Sequence, residues 1–464
     1  MHPAKNAGHT GSGTDEKDWI MRALIQGKPL SGKVQVPPSK SVAHRILICA
    51  ALSGTPCVIK CSSINRDIEA TADCLNALGA NITYVNGKYK VKPISTVIKN
   101  AVLDCGESGS TLRFMLPVAA ALGADAVFIG HGRLPERPLS PLYDELVKHG
   151  ICLSENGKMP LKSSGILPAG TYTIDGGVSS QFISGLLMAL PLTGKPCKIT
   201  ITGKRESASY IGLTINALDA FGIKVKTLRN GYFIPGEQKF KAPSKTINVE
   251  GDWSSAAFWL ANCAIGEGKE TIHCSGINYY SSAQGDRRVV DILRQMGAKI
   301  ETKKNTTIVH PSQLKASIIN CKDVPDLVPI LAVAASKAKG TTVFKNTSRL
   351  RIKESDRIES VLSLLHSAGI EAKATKNTLS VTGKTITQNK KLRCSYDPSG
   401  DHRMAMSAAI LASVQGLNID IKNVECTEKS YPSFMSHIQT LGADVRLDKA
   451  NKLTKLEAIS NTKK

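Results

Sequence analysis

One short pattern returns six times along this chain: an apolar segment with helical spacing, a glycine, then an alternating strand. It stands as Leu78-Gly79-Ala80, His149-Gly150-Ile151, Phe221-Gly222-Ile223, Met296-Gly297-Ala298, Ala368-Gly369-Ile370 and Leu441-Gly442-Ala443. Successive glycines are 71, 72, 75, 72 and 73 residues apart, so six copies fill nearly all of the 464 residues. Each glycine sits where a helix would end, because the left-handed conformation needed there is cheap only without a Cβ. Before one of them, Val289, Ile292, Leu293 and Met296 share a helical face. After another, Ile223 to Leu228 alternate, Arg229-Asn230-Gly231 turns, and Tyr232 to Ile234 return. Each repeat is therefore an α/β unit that ends in an antiparallel hairpin. A simple doubly wound sheet is excluded, since such hairpins would not recur in it. Six copies divide most naturally into three and three, with a boundary near 249–250. Residues 1–25, with the Gly-rich His9 to Gly13, are expected to be a disordered extension, and the Lys-rich last ten a fraying tail.

Composition narrows the function classes. The chain carries 60 Lys+Arg against 38 Asp+Glu, a net charge of +22. The excess is spread evenly: 24 bases and 14 acids over residues 39–249, then 31 and 21 over 250–464. With aromatics at 5% and no dense basic tail, a stacking track for nucleic acid is not indicated. No apolar run reaches the roughly 18 residues a membrane helix needs; Phe114 to Gly130 is broken by Pro117 and Asp125. Asp15, Glu16 and Asp18 argue against a transit peptide. Twelve cysteines, the closest being Cys57 and Cys61, suit reduced thiols in a cytoplasmic protein rather than disulfides or a zinc site.

Charged and small residues gather just before the apolar helices. Pro37-Pro38 stops a strand, and Lys40 and Ser41 open a helix whose N–H groups favour an anion, with Arg45 one turn on. Asp104 to Arg113 is a small-residue turn in which Ser110 or Thr111 could cap the next helix. Arg133 and Arg137 flank a rigid loop, either as an anion clamp or as partners for Glu136 or Asp144. Ser179, Ser180 and Gln181 converge at a third helix start, and capping alone explains one of them, not three. Asp326 lies between prolines, and Lys353, Glu354 and Arg357 share one turn. Asp401, His402 and Arg403 head another helix, where His402 is either a base or a structural histidine. Any one segment has a bland reading as solvated surface. That they recur near the helix starts of the repeats points to a single site built from one face of the repeats. Seven cations with Asp326 and Glu354 as the prominent acids should bind small, multiply charged anions.

Together these segments resemble the enolpyruvyl transferase family, over about residues 28–448. The resemblance implies two lobes of three βαβαββ units each, an inside-out α/β barrel arrangement with the site in the interdomain cleft. The first lobe would be residues 26–38 plus 250–464, and the second 39–249. Among family branches it is nearest the one that moves the enolpyruvyl group of phosphoenolpyruvate to the 5-hydroxyl of shikimate 3-phosphate, without metal or organic cofactor.

The resemblance further implies roles. Ser41, Arg45, Ser179, Ser180, Gln181, Ser207, Tyr210, Asp326 and Lys353 would hold shikimate 3-phosphate. Gly109, Arg133, Gln181, Glu354, Arg357, Arg403 and Lys429 would hold phosphoenolpyruvate, and Lys40 would touch both. Asp326, Glu354, Lys40 and Lys429 would carry the catalysis. Gly109 matches a position where glycine goes with sensitivity to glyphosate. Glu107 and Arg349 depart from the asparagines common there in some branches, and Phe114 from a proline. Rival readings are the UDP-N-acetylglucosamine branch, whose reactive loop cysteine is absent from Arg133–Pro138, an RNA 3′-phosphate cyclase, and a basic nucleic-acid-binding scaffold. The expected partners are dissolved substrates only, with neither nucleic acid nor membrane, and the expected state is a cytoplasmic monomer.

Overall fold

The computed structural model describes residues 19–204, 206–384 and 393–451. All six repeat glycines adopt positive φ, from 71° at Gly369 to 115° at Gly442, and each directly follows a helix C-cap residue. A Cβ at these positions would be strained, so the repeat marks backbone geometry rather than a chance of composition.

Among the described residues, 24 strands form six four-stranded sheets, one for each repeat. Residues 318–382 illustrate the unit. Ile318–Asn320 runs parallel to Thr341–Lys345 across the buried helix Val328–Ala335. After helix Arg357–Ser367, the chain returns as the hairpin Ala372–Ala374 and Thr378–Thr382, the latter antiparallel to Thr341–Lys345. The strands alternate buried and exposed residues, so each sheet offers one face inward. The sheets remain separate, and none closes into a hydrogen-bonded barrel.

Two hydrophobic cores lie beneath them. One draws on Ala23 to Val36 and Trp253 to Val445, the other on Ala43 to Phe240. Each is centred on three apolar helices: Trp253–Ile265, Val328–Ala335 and His402–Gln415 in the first, and Lys40–Ala51, Gly109–Leu122 and Ser180–Ala189 in the second. In the first core all three helices are buried along their whole length, which is why their sequences lack an amphipathic period.

Three repeats borrow a strand from elsewhere in the chain. Ile247–Asn248 completes the sheet of Cys57–Lys60, and Gly32–Gln35 completes that of Ile272–Ser275. Trp19–Gln26 lies between Asn418–Ile421 and Asp444–Asn451. The expected disordered extension through residue 25 is therefore corrected: from Trp19 the chain is a strand, paired along its length with Asp444–Asn451 and from Ala23 also with Asn418–Ile421. Residues 1–18 and the expected tail at 455–464 lie outside the described residues. The chain passes between the cores at two adjacent points, where Ser39 N donates to Glu250 O (2.7 Å) and Asp252 N to Pro37 O (2.8 Å).

Candidate active site

The six central helices direct their N-terminal ends at one cleft between the cores, about 1040 Å³ including its mouth. On one side the helix ends are capped by serine: Ser108 accepts from Thr111 N, and Ser179 from Gln181 N. The cap is thus Ser108 rather than Ser110 or Thr111; Ser110 Oγ instead accepts from Gln181 Nε2 (2.8 Å). On the other side Asp252 and Asp401 cap the helices Trp253–Ile265 and His402–Gln415. Free N–H groups and aligned helix dipoles make such a convergence a site for anions.

The cations reinforce it. Arg45 is 2% exposed and, among the described residues, bonds only neutral groups: Thr214 Oγ1 (2.7 Å), Ser41 O (2.6 Å), Tyr210 O (3.1 Å) and, at 3.4 Å, Ser184 Oγ. Burial pulls its pKa down, a sign of charge without a local counter-ion. Arg113 is likewise buried, donating to Gln181 Oε1 (2.7 Å) and Pro138 O (2.8 Å), while among the described residues its Nε has no partner. Burial and then Arg137 lower its pKa.

The acids form the opposite wall. Arg357, 1% exposed, forks to three carboxylates: Asp326 (2.7 Å), Glu354 (2.7 Å) and Asp401 (2.8 Å). Burial raises the Asp326 carboxyl, but Arg403, Lys353 and Arg357 together hold it well below its ordinary value. Burial also raises the Glu354 carboxyl, but Arg137 at 3.5 Å and Arg357 outweigh it and hold the group well below its ordinary value. Lys353 Nζ lies 3.4 Å from Asp326, and burial brings its pKa down to about 8. Tyr210 donates toward Asp326 (3.3 Å) and Asp286 (3.4 Å). Buried Asp286, also facing Asp326, is pushed up to about 7. Burial, Lys40 and Arg403 hold the His402 imidazole well below its ordinary pKa, and among the described residues neither ring nitrogen has a partner.

Of the residues expected from the sequence, Lys40, Ser41, Arg45, Gly109, Ser179, Ser180, Gln181, Ser207, Tyr210, Asp326, Lys353, Glu354, Arg357 and Arg403 all line this cleft. Arg133 and Lys429 do not. Arg133 is half exposed at the rim, with Glu136 at 3.4 Å and Glu354 O at 3.4 Å. Lys429 is tied to Glu107 Oε2 (2.7 Å) and Gly400 O (2.9 Å), spanning the two halves. The expectation of two prominent acids is corrected too, since Asp67, which holds Lys40 at 2.7 Å, and Asp252 also line the cleft, with Asp286 behind Tyr210. Arg113 carries no expected role although its segment stands out; it lines the cleft together with Arg137, read from the sequence as a clamp or an ion-pair partner, and His402, read as a base or a structural histidine. The Gly-Asp pairs Gly251-Asp252 and Gly285-Asp286, which match Gly400-Asp401, are the signal that could have found Asp252 and Asp286. Among the described residues no cluster of three or more His, Cys, Asp or Glu could hold a metal ion, and no helix is long and apolar enough to cross a membrane.

Comparison with known proteins gives one family. The family model for EPSP synthase (3-phosphoshikimate 1-carboxyvinyltransferase) matches residues 24–438. The 3-phosphoshikimate 1-carboxyvinyltransferase of Clostridium kluyveri is 42% identical over 424 residues, covering 91% of this chain and 97% of that one. The Clostridium acetobutylicum enzyme of the same name is 39% identical over 423 residues, 90% and 96% of the two chains. Among solved structures, EPSP synthase from Acinetobacter baumannii aligns with a TM-score of 0.76 at 25% identity, covering 92% of this chain and 100% of its own. The enolpyruvyl transferase NikO from Streptomyces tendae shares the fold, with a TM-score of 0.70 at 16% identity over 93% and 99% of the chains. A cleft where six helix ends and buried guanidiniums converge stands beside a match along most of the chain: this chain belongs to the EPSP synthase family.

Proposed function

We propose a division of labour in this cleft for the family reaction. That reaction transfers the enolpyruvyl group of phosphoenolpyruvate to the 5-hydroxyl of shikimate 3-phosphate and releases phosphate. The observation that carries the reading is the pair of carboxylates, Asp326 and Glu354, joined through one buried guanidinium beneath six converging helix ends. Ser41, Arg45, Ser179, Ser180, Ser207, Tyr210 and Lys353 hold shikimate 3-phosphate. Arg357 and Arg403 hold phosphoenolpyruvate beside Gly109, with Lys40 and Gln181 between the substrates. Arg133 and Lys429 close the rim.

In the reaction, a proton reaches the methylene carbon of phosphoenolpyruvate, leaving the adjacent carbon electron-poor. The 5-hydroxyl attacks that carbon as Asp326 takes its proton. The tetrahedral adduct then loses phosphate and the added methyl proton. An effective acid has a pKa near the working pH, whereas Glu354 is held well below its ordinary value. The arriving phosphate and carboxylate compete for Arg137 and Arg357. With those cations engaged, burial prevails and lifts Glu354 toward protonation. The substrate's own charge thus arms the acid. The site is assembled within one chain, which suits a monomer.

Phosphate release measured with phosphoenolpyruvate plus shikimate 3-phosphate should be rapid, and with UDP-N-acetylglucosamine in its place absent. The reverse pattern would overturn the reading.

Gly109 supplies a separate check. A Cβ there would meet Arg137 Nη1 at 2.8 Å and Arg113 Nη1 at 2.9 Å, the movable tips of two side chains. Gly109→Ala should therefore fold normally yet displace both guanidiniums. The KM for phosphoenolpyruvate should rise roughly tenfold, a change of about 1.4 kcal/mol. Glyphosate should compete with phosphoenolpyruvate in the parent enzyme and inhibit the variant more weakly. Unchanged KM and unchanged inhibition would remove Gly109 from the site.

A further inference from the structure

Arg349 reaches across the cleft from the half that carries Asp326 to the half that carries Ser207. Its Nη1 donates to Ser207 Oγ at 3.0 Å, and the nearest carboxylate, Glu206, stands 3.8 Å away. The Arg349 side chain is only 16% exposed, and among the described residues its buried Nε has no partner. Its charge is thus incompletely matched. Burial lowers its pKa first of all, and the same burial raises that of Glu206, so the pair is a poor home for two charges.

Its neighbour is built for function. Ser207 is 2% exposed and holds φ +51°, the left-handed region that a non-glycine residue enters at a cost. It is the N-cap residue of helix Ala208–Ala220, yet its side chain caps nothing. Its oxygen already accepts from Arg349, which leaves its own proton to donate into the cleft. Ser179 and Ser180 line the same cleft from the start of another helix.

We propose that Arg349 determines specificity for the phosphorylated substrate: reaching over from the opposite half, its guanidinium completes the phosphate site that Ser179, Ser180 and Ser207 begin. This rests on the function proposed above. A phosphomonoester dianion accepts paired N–H donors from a guanidinium more strongly than a 3.8 Å carboxylate does. On binding, Arg349 exchanges Glu206 for phosphate, and the substrate comes to bridge both halves of the molecule.

The test is a pair of substitutions with opposite signs. Turnover of the parent enzyme with phosphoenolpyruvate and shikimate 3-phosphate is measured first; its absence would defeat the proposed function itself. Given that activity, Arg349→Asn should raise the KM for shikimate 3-phosphate roughly tenfold or more. The kcat and the KM for phosphoenolpyruvate should change much less. Inorganic phosphate should compete less well against shikimate 3-phosphate, and preference over unphosphorylated shikimate should shrink by the same factor as the KM rises. Arg349→Lys, which keeps charge but not the fork, should fall between. Glu206→Gln frees the guanidinium and should lower the same KM. If Arg349→Asn and Glu206→Gln both raise it alike, the pair is a structural ion bridge and the inference fails. It fails equally if the preference for the phosphorylated substrate is unchanged.

Discussion

Glu354→Gln should lower the turnover number by about 10²-fold or more, while shikimate 3-phosphate still binds. Glutamine has the shape of the carboxyl and can still accept from Arg357, now at 2.7 Å, but it has no proton to give and take back. Calorimetric titration with shikimate 3-phosphate separates binding from chemistry. The pH dependence adds a signature with a definite sign. In the free enzyme Arg137 and Arg357 hold Glu354 down; in the complex the substrate's anionic groups engage them and the carboxyl rises. The acid must be protonated to act, so kcat should fall as pH rises through this group. Its apparent pKa should be higher in kcat than in kcat/KM. That limb should be missing from the variant. Near-normal turnover would remove Glu354 from the chemistry.

Asp401→Ala should cost the fold about 3–5 kcal/mol for the broken buried pair, with about 1 kcal/mol more for the lost cap. Asp401 is 0% exposed and accepts from Arg357 Nε (2.8 Å), Ser355 Oγ (3.1 Å) and the Arg403 backbone N–H (3.0 Å). Alanine leaves Arg357 short of one carboxylate and the helix His402–Gln415 without its cap. A loss of this size should lower the melting temperature by about 10 °C in differential scanning calorimetry. Asp401→Asn keeps an acceptor at the cap and loses only the charge, so it should fall between. A shift of no more than about 2 °C would mean that Asp326 and Glu354 alone satisfy Arg357.

What the sequence made legible follows the range over which each signal acts. Helix-ending glycines report the conformation of their own residue, so Gly79 through Gly442 revealed the repeats directly. The strand Trp19–Gln26 escaped notice because its partners, Asn418–Ile421 and Asp444–Asn451, lie nearly 400 residues away. The segments that open the central helices located the cleft, since the end of each such helix faces it. Individual partners were harder. That Lys429 is tied to Glu107 depends on how the two halves meet, and no local pattern encodes that. Asp286 was hidden for another reason: a Gly-Asp pair before a short turn looks like ordinary loop chemistry until Tyr210 and Asp326 are set beside it.

The borrowed strands impose an order of events during synthesis. The core spanning Ala43 to Phe240 has all its sheets complete once Ile247–Asn248 has emerged and paired with Cys57–Lys60. The other core cannot finish its sheets until Asp444–Asn451 arrives beside Trp19–Gln26, which left the ribosome first of all the described strands. Contacts across such separations form late, because the loop they close costs entropy before any burial compensates. The half begun second is therefore finished first, and the earliest strand stays an open edge through most of translation.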